Sequence, residues 1–497
     1  MASQRPLPWI CLSGVAVAAY TVHGAVPERM AVLPTLLTEV AVWTGLVATV
    51  ALRNPQGMLR MSDMALSILG WMFFYFIKPA ITWTQGWRFA FEGTTTVTLD
   101  TDIVARIQGL HIAFMMAFFF VYFVVAPRLD YEPPLSRKSA SERGPAALAF
   151  VVLGLMPYLF NVVERVTTTG SILPSQSYGV STYEAHDELL RARAMGGADY
   201  VVTQLFAKLW FYPVLALGLG YGVMLARFYA ARRWLPIAVM FAQVPVLFLL
   251  GPGSRSYSVY PFIIALIVAD LLAGPLPWRP VLAAVAAGVP IANFYAVVRG
   301  YQDLGLREAI ASSREQIASL GDMVDTEDSA MLVKEAFCVQ FADHTHVTSG
   351  ASYFAESLLQ LLPLQVVPEK AHFWSTANFL SQQFLGAAAT RGAGMAGTAI
   401  GDGYLIGEEL GLVVLAATFA LIPSLMLRAV SDGRRAWGNI LVLAFAVHAP
   451  QFARADLSTL VNAAVFSVLL PGGAMLAMEN VMLHKESFWR RSLARVG

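Results

Sequence analysis

The sequence predicts an all-α, polytopic membrane protein, and three observations predict it. Of 497 residues, 57% are hydrophobic and only 13% charged, against about 45–50% and about 25% in soluble domains. Mean hydropathy is +0.59. Apolar runs recur along most of the chain at lengths near the roughly 20 residues that cross a bilayer, and basic residues gather in alternate connections between them.

Twelve or so runs read as spans: Trp9–Val26, Met30–Leu52, Met64–Gln85, Val104–Ala126, Ala146–Val163, Val201–Ala226, Leu235–Leu250, Ser258–Ala273, Val281–Val298, Tyr404–Leu427, Asn439–Phe452 and Leu457–Met478. With the N-terminus in the cytoplasm, the inner connections collect Arg53 and Arg60; Arg128, Arg137, Lys138 and Arg143; Arg227, Arg232 and Arg233; Arg279; Arg428, Arg434 and Arg435; and Lys485, Arg490, Arg491 and Arg495. The positive-inside rule is then met at each of them. The first run resembles a signal peptide, with Arg5 ahead of an apolar stretch, but removing it would invert the charge bias of all that follows. It is read as a true span.

This pattern divides the chain into a bundle of about nine spans over 1–298, a polar insert over 299–403, three last spans over 404–480 and a basic cytoplasmic tail over 481–497. The insert is too long for an ordinary connection between spans, and alternation of the spans places it outside the cytoplasm. Within it, Leu306, Ala309, Ile310, Ile317 and Leu320, then Tyr353, Phe354, Ser357, Leu358 and Leu361, recur at helical spacing. They predict amphipathic helices that lie on the membrane or cap the spans. Arg128–Gly144, rich in Pro, Ser and mixed charge, reads as a solvated inner linker.

Composition also excludes. Lys+Arg 34 against Asp+Glu 33 gives net +1, so charge points to no nucleic-acid partner, and the 2 cysteines, Cys11 and Cys338, allow neither a disulfide framework nor a cysteine metal site. Asp343-His344-Thr345-His346 is too short a histidine pattern to predict a metal, and none is expected. Glu39, Lys78, His111, Lys208, Asp270 and His448 fall within spans. Facing lipid they would be costly, so they are expected to turn inward and pair.

The outer side is rich in arginine. Arg88, Arg106, Arg165, Arg191, Arg193, Arg255 and Arg454 lie there outside the insert, and Arg299, Arg307, Arg314 and Arg391 within it. A guanidinium grips phosphate with two parallel hydrogen bonds, which an ammonium cannot do. Arg255 in Gly253-Ser254-Arg255, Arg299 at a span end and Arg454 in Phe452-Ala453-Arg454-Ala455-Asp456 are tethered at the interface. They suit the phosphates of a substrate whose lipid tail stays in the bilayer. Paired with acids or lipid headgroups, they would be ordinary surface charges.

The Gly-Ser-Arg connection, the long late insert, Ile400-Gly401-Asp402-Gly403-Tyr404 running into Glu409-Leu410-Gly411, and Arg454-Ala455-Asp456 together resemble the O-antigen polymerases (Wzy type). The resemblance covers roughly Leu235 to Met478. Arg391 with Gly401 or Gly403 only approaches the second arginine motif described for some members. The resemblance implies a metal-independent, cofactor-free glycosyltransferase of the bacterial inner membrane, similar in fold to the multi-span GT-C-like class. Its substrates would be undecaprenyl-pyrophosphate-linked repeat units, and a chain-length-regulating co-polymerase would be a partner.

Under that resemblance Arg255, Arg299, Arg391 and Arg454 hold pyrophosphate, and Asp402, between two glycines, is the general base. His344 and His346 are the alternative base, and Tyr353, Trp374 and Tyr404 are sugar-stacking aromatics. Asp402 equally reads as the N-cap of the following span. An O-antigen ligase, a lipid-oligosaccharide flippase and a membrane scaffold of an export complex are the competing readings.

Overall fold

A computed structural model of the chain describes residues 7–54, 60, 63–86, 89–91, 95–97, 99–127, 144–169, 211–250, 255–273, 311, 331–345, 350, 352–359, 361–362, 367, 376, 379–380, 397–431, 448–449, 451–454 and 457–465. Over these residues the protein is a helical membrane protein, with one antiparallel hairpin of two three-residue strands, β1 (Phe89–Phe91) and β2 (Thr95–Val97). Five described helices are long and apolar enough to cross a membrane: Leu7–Gly24, Pro27–Arg53, Met64–Thr84, Thr101–Val125 and Ala399–Leu425. They coincide with expected spans. The expected spans at 281–298 and 439–452 lie wholly or almost wholly outside the described residues.

The first helices are α1 (Leu7–Gly24), α2 (Leu33–Arg53), α3 (Met64–Met72), α4 (Lys78–Thr84) and α5 (Thr101–Val125). A π-helical turn, Phe73–Ile77, joins α3 to α4. Pro79 follows it and has no N–H to return to the preceding turn, so a local widening there has a covalent cause. Next come α6 (Gly144–Thr169), α7 (Phe211–Ala230), α8 (Trp234–Leu250) and α9 (Arg255–Ala273). The late chain supplies α10 (Met331–Thr345), α11 (Ser352–Leu359), α12 (Ala399–Ser431), α13 (Gln451–Arg454) and α14 (Leu457–Ala463).

Large apolar side chains face outward as well as inward. Phe120 is 71% exposed, Leu235 77% and Leu410 75%. In water such surfaces would drive aggregation, whereas a lipid tail receives them at no cost. Between helices the close contacts come from small residues instead. Gly218 and Gly222 of α7, four apart, leave no room for a Cβ against Ile264 and Val268 of α9, and Gly154 of α6 lies as tightly on Leu217. This is the small-x-x-x-small mode of packing in lipid, where backbone approach replaces hydrophobic burial as the source of affinity.

Charged contacts at the helix ends tie the bundle at a common level. Arg53, ending α2, donates to the carbonyls of Phe123 and Ala126 at the end of α5, at 2.8 and 3.0 Å. Arg60 pairs with Asp270 of α9 at 3.3 Å. Asp63 accepts from Ala65 N–H at 2.9 Å as the N-cap of α3 and is held by Asn54 at 2.8 Å. The inward turning expected of Asp270 is thus met by an arginine partner.

Within the insert, α11 falls on the expected helical stretch from Tyr353, and the other expected positions, Leu306, Ala309, Ile310, Ile317 and Leu320, lie outside the described residues. A helix the spacing did not mark, α10, is buried along Met331–Ala336 and at Cys338, Val339 and Ala342, packed on α5 and α12 inside the main hydrophobic core. Sequence reading missed this because Lys334 and Glu335 interrupt the apolar run, and only a partner within the bundle makes their burial tolerable.

Candidate functional site

The site begins with a break in α12. At Gly407 the backbone is extended (φ −179°), and at Glu408 it is left-handed (φ 54°, ψ −140°), so a short arm, Ala399–Ile406, precedes the long one. The chain reverses there. A Cβ on Gly403 would meet the Leu412 backbone at 2.7 Å, and one on Gly411 the Gly403 carbonyl at 2.5 Å, so both glycines permit the arms to touch. Gly350 N–H donates to the Ile406 carbonyl at 2.9 Å and satisfies the end of the short arm.

Asp402, in that arm, is 1% exposed. Its Oδ1 accepts from Tyr353 at 2.5 Å and Thr376 at 2.6 Å, and its Oδ2 from Leu457 N–H at 2.9 Å. The carboxylate therefore caps α14 and ties three segments together. The N-cap of α12 is Thr398, whose Oγ1 accepts from Gly401 N–H at 2.8 Å. Tyr353 and Tyr404, expected as sugar platforms, are 0% and 1% exposed. Neither ring has an open face; each contributes its hydroxyl.

Where α5, α10 and the break in α12 meet, four polar side chains form an open mouth. Arg106 of α5 donates to both carboxylate oxygens of Asp343 and to the Tyr404 hydroxyl, and reaches Glu409 at 3.4 Å. Tyr404 in turn donates to Asp343 at 2.9 Å, and the guanidinium lies 5.3 Å from the tyrosine ring centre. The side chains of Arg106, Asp343 and Glu409 are 41%, 34% and 62% exposed. Asp343 holds the fork, and Glu409 is the loosest and wettest of its partners. His344, the next residue of α10, is exposed.

Deeper along the same helices lies a second cluster with no exposure. His111 of α5 stands between two carboxylates, Nδ1 2.8 Å from Glu39 of α2 and Nε2 2.9 Å from Glu335 of α10. Phe76, in the π-helical turn, stacks on the imidazole with centroids 4.5 Å apart and planes at 12°. All three charged residues are 0–1% exposed. Five residues of α5 separate the clusters, about 8 Å of helix rise. Nearby on α10, Cys338 is buried against Gly401.

Among the proposed site residues the structure joins Asp402 to Tyr353, and Tyr404 to Arg106 and Asp343. Arg255 opens α9 and Arg454 closes α13, their side chains falling outside the described residues, as do Arg299, His346, Trp374 and Arg391 entirely. Sequence reasoning passed over Glu335 and Asp343 as members of a site. Their signal was a Lys-Glu pair inside an apolar run, and an aspartate preceding the histidines. No described group of histidine, cysteine and carboxylate side chains has a geometry suited to a metal ion.

Set against protein-family models, characterised proteins and solved structures, the chain finds no match. Its functional reading rests on its own residues.

Proposed function

We propose that this protein is a glycosyltransferase of the bacterial inner membrane that polymerises undecaprenyl-pyrophosphate-linked repeat units on the periplasmic side. The observation that carries the reading is the mouth: a half-exposed arginine fork, buttressed by Asp343 and Tyr404, with an exposed carboxylate, Glu409, beside it. It lies at the N-terminal end of α5, where the positive-inside pattern puts the outer surface. In the same reading the chain has about twelve spans, with part of its outer insert tucked back into the bundle.

An incoming pyrophosphate displaces Glu409 from Arg106, because a bidentate phosphate contact exceeds one long ion pair. Glu409, or the exposed His344, then takes the proton from the acceptor sugar hydroxyl. The acceptor oxygen forms a bond to the donor's anomeric carbon. The bond from that carbon to the pyrophosphate oxygen breaks, and undecaprenyl pyrophosphate leaves with the electron pair, its charge met by arginine. Arg255, Arg299, Arg391 and Arg454 are proposed to extend this cationic surface. Asp402, bound by three donors, holds the short arm in place; using it as the base would break contacts that position the mouth.

A second reading, a transporter, is favoured by the broken α12 and by the ionisable cluster within the bundle, since carriers build ion sites from interrupted helices and intramembrane acids. Deletion of the gene separates them. Single-repeat surface glycans support a polymerase, uncapped lipid A core a ligase, and lipid-linked repeats trapped in the cytoplasm a flippase. Orientation has its own test. Cys338 is buried and a poor reporter, so a cysteine is placed at exposed His344 (His344→Cys). It should react with a membrane-impermeant maleimide in intact spheroplasts. Labelling only after permeabilisation would reverse the sidedness.

A further inference from the structure

The buried cluster is not needed by glycosyl transfer at the mouth, and its composition is not that of a finished structural ion pair. A buried ion pair is tolerated when its remaining lone pairs are satisfied. Here they are not. Glu39 Oε2 and Glu335 Oε1, the oxygens turned away from His111, are buried without a hydrogen-bond partner among the described residues. Gln108, one turn before His111 on α5 and 0% exposed, has neither its amide oxygen nor its amide nitrogen partnered among the described residues.

Charge counting leaves the matter to the open oxygens. Two carboxylates confront one imidazole, and Lys334, the neighbour of Glu335 on α10 and 4% exposed, is the further cation that reaches Glu335, so the group is balanced when His111 is doubly protonated. The thiol of Cys338 also faces Glu335. On the α3–α4 side the cluster meets the ring of Phe76, with Lys78 two residues on. Each ring nitrogen already faces a carboxylate oxygen at hydrogen-bond distance, so a proton can pass between glutamate and imidazole along an existing contact with no change in net charge. A group whose two protonation forms interconvert along existing hydrogen bonds accepts an extra proton with little rearrangement.

We infer that Glu39, His111 and Glu335, with Gln108, form an intramembrane proton-binding site that takes up and releases one proton on the open oxygen of a glutamate. In the uptake step a hydronium gives its proton to Glu39 Oε2 or Glu335 Oε1; one O–H bond forms, one breaks and water remains. The amide of Gln108 has the complementary chemistry, since a carboxylic acid both donates and accepts and a carboxamide does the same. The α5 and α10 helices run from this site to the exposed Arg106–Asp343 mouth, about 8 Å and about 12 Å of helix rise away respectively. Those two helices mark the side on which the proton exchanges with water.

The test is infrared titration of the purified full-length protein in lipid nanodiscs, which reads the site without reference to any activity. Wild type should gain the carbonyl band of about one protonated carboxyl between about pH 8 and about pH 5, above the range where exposed acids titrate, and the band should shift in D2O. Glu39→Gln and Glu335→Gln keep the shape, and at least one should abolish the band. Gln108→Leu should shift its frequency. A wild-type spectrum without a titrating carboxyl in that range overturns the inference, whether or not the variants fold. So does a band that persists unchanged in both glutamine variants. Glycan polymerisation is absent from these readouts, so the proton site and the glycosyltransferase reading stand or fall separately.

Discussion

The mouth and the buried cluster are built from the same two helices, yet physics gives them opposite properties. Arg106 and Asp343 meet in partial contact with water, at 41% and 34% exposure; His111 and Glu335 meet at 0% and 1%. An exposed pair is screened and close to neutral in stability, so a ligand phosphate can replace one partner at small expense. A buried pair is locked, because removing either member strands the other's charge in a low dielectric. Five residues along α5 thus separate a pair that water can reach from one that it cannot.

The largest effect expected from this contrast is on stability. His111→Ala removes the shared partner of Glu39 and Glu335, leaving two buried carboxylates to face each other, and should cost about 3–5 kcal/mol. Arg106→Ala at the mouth should cost no more than about 1 kcal/mol. Thermal unfolding in detergent, followed by circular dichroism, compares them directly. Equal losses would erase the distinction between the regions.

Asp402 comes next. Asp402→Asn keeps an acceptor for Tyr353 and Thr376 but turns an N–H2 toward the Leu457 N–H, losing one charge-assisted bond worth about 1.5–3 kcal/mol. Melting temperature and glycan polymerisation should fall together. Lost polymerisation with an unchanged melting temperature would return Asp402 to the role of base.

The smallest effect concerns the break itself. Glu408 sits at φ 54° and ψ −140°, a region that suits glycine and costs a side chain on the order of 1 kcal/mol. Glu408→Gly should therefore raise the melting temperature slightly, where glycine inside a true helix would lower it. A lowered melting temperature would mean that α12 is continuous at this point.

Much of this was legible in the sequence. Apolar runs of bilayer length located every helix that the structure finds able to cross, because lipid forces each backbone polar group to be satisfied within its own segment. The glycines flanking Asp402 marked close approach, and both provide it, Gly401 against Cys338 and Gly403 against Leu412. The partners were not legible. His111 and Glu39 stood out as costly in a span, but Glu335 lies 224 residues from His111 and Asp343 lies 237 residues from Arg106. No local pattern announces contacts over that separation. Nor could composition tell that the insert turns back into the bundle, since its charges are tolerable there only through those partners.

The central claim is that the arginine fork at the mouth binds pyrophosphate. Arg106→Lys keeps the charge and loses the fork, and one lost charge-assisted contact is worth roughly ten- to hundredfold in rate. The measurement is the length distribution of surface glycan in a deletion strain complemented with Arg106→Lys, at matched protein level in the membrane. The account predicts glycans collapsed toward single repeats, nearly as severe as with Arg106→Ala. Full-length glycans from both variants would contradict it.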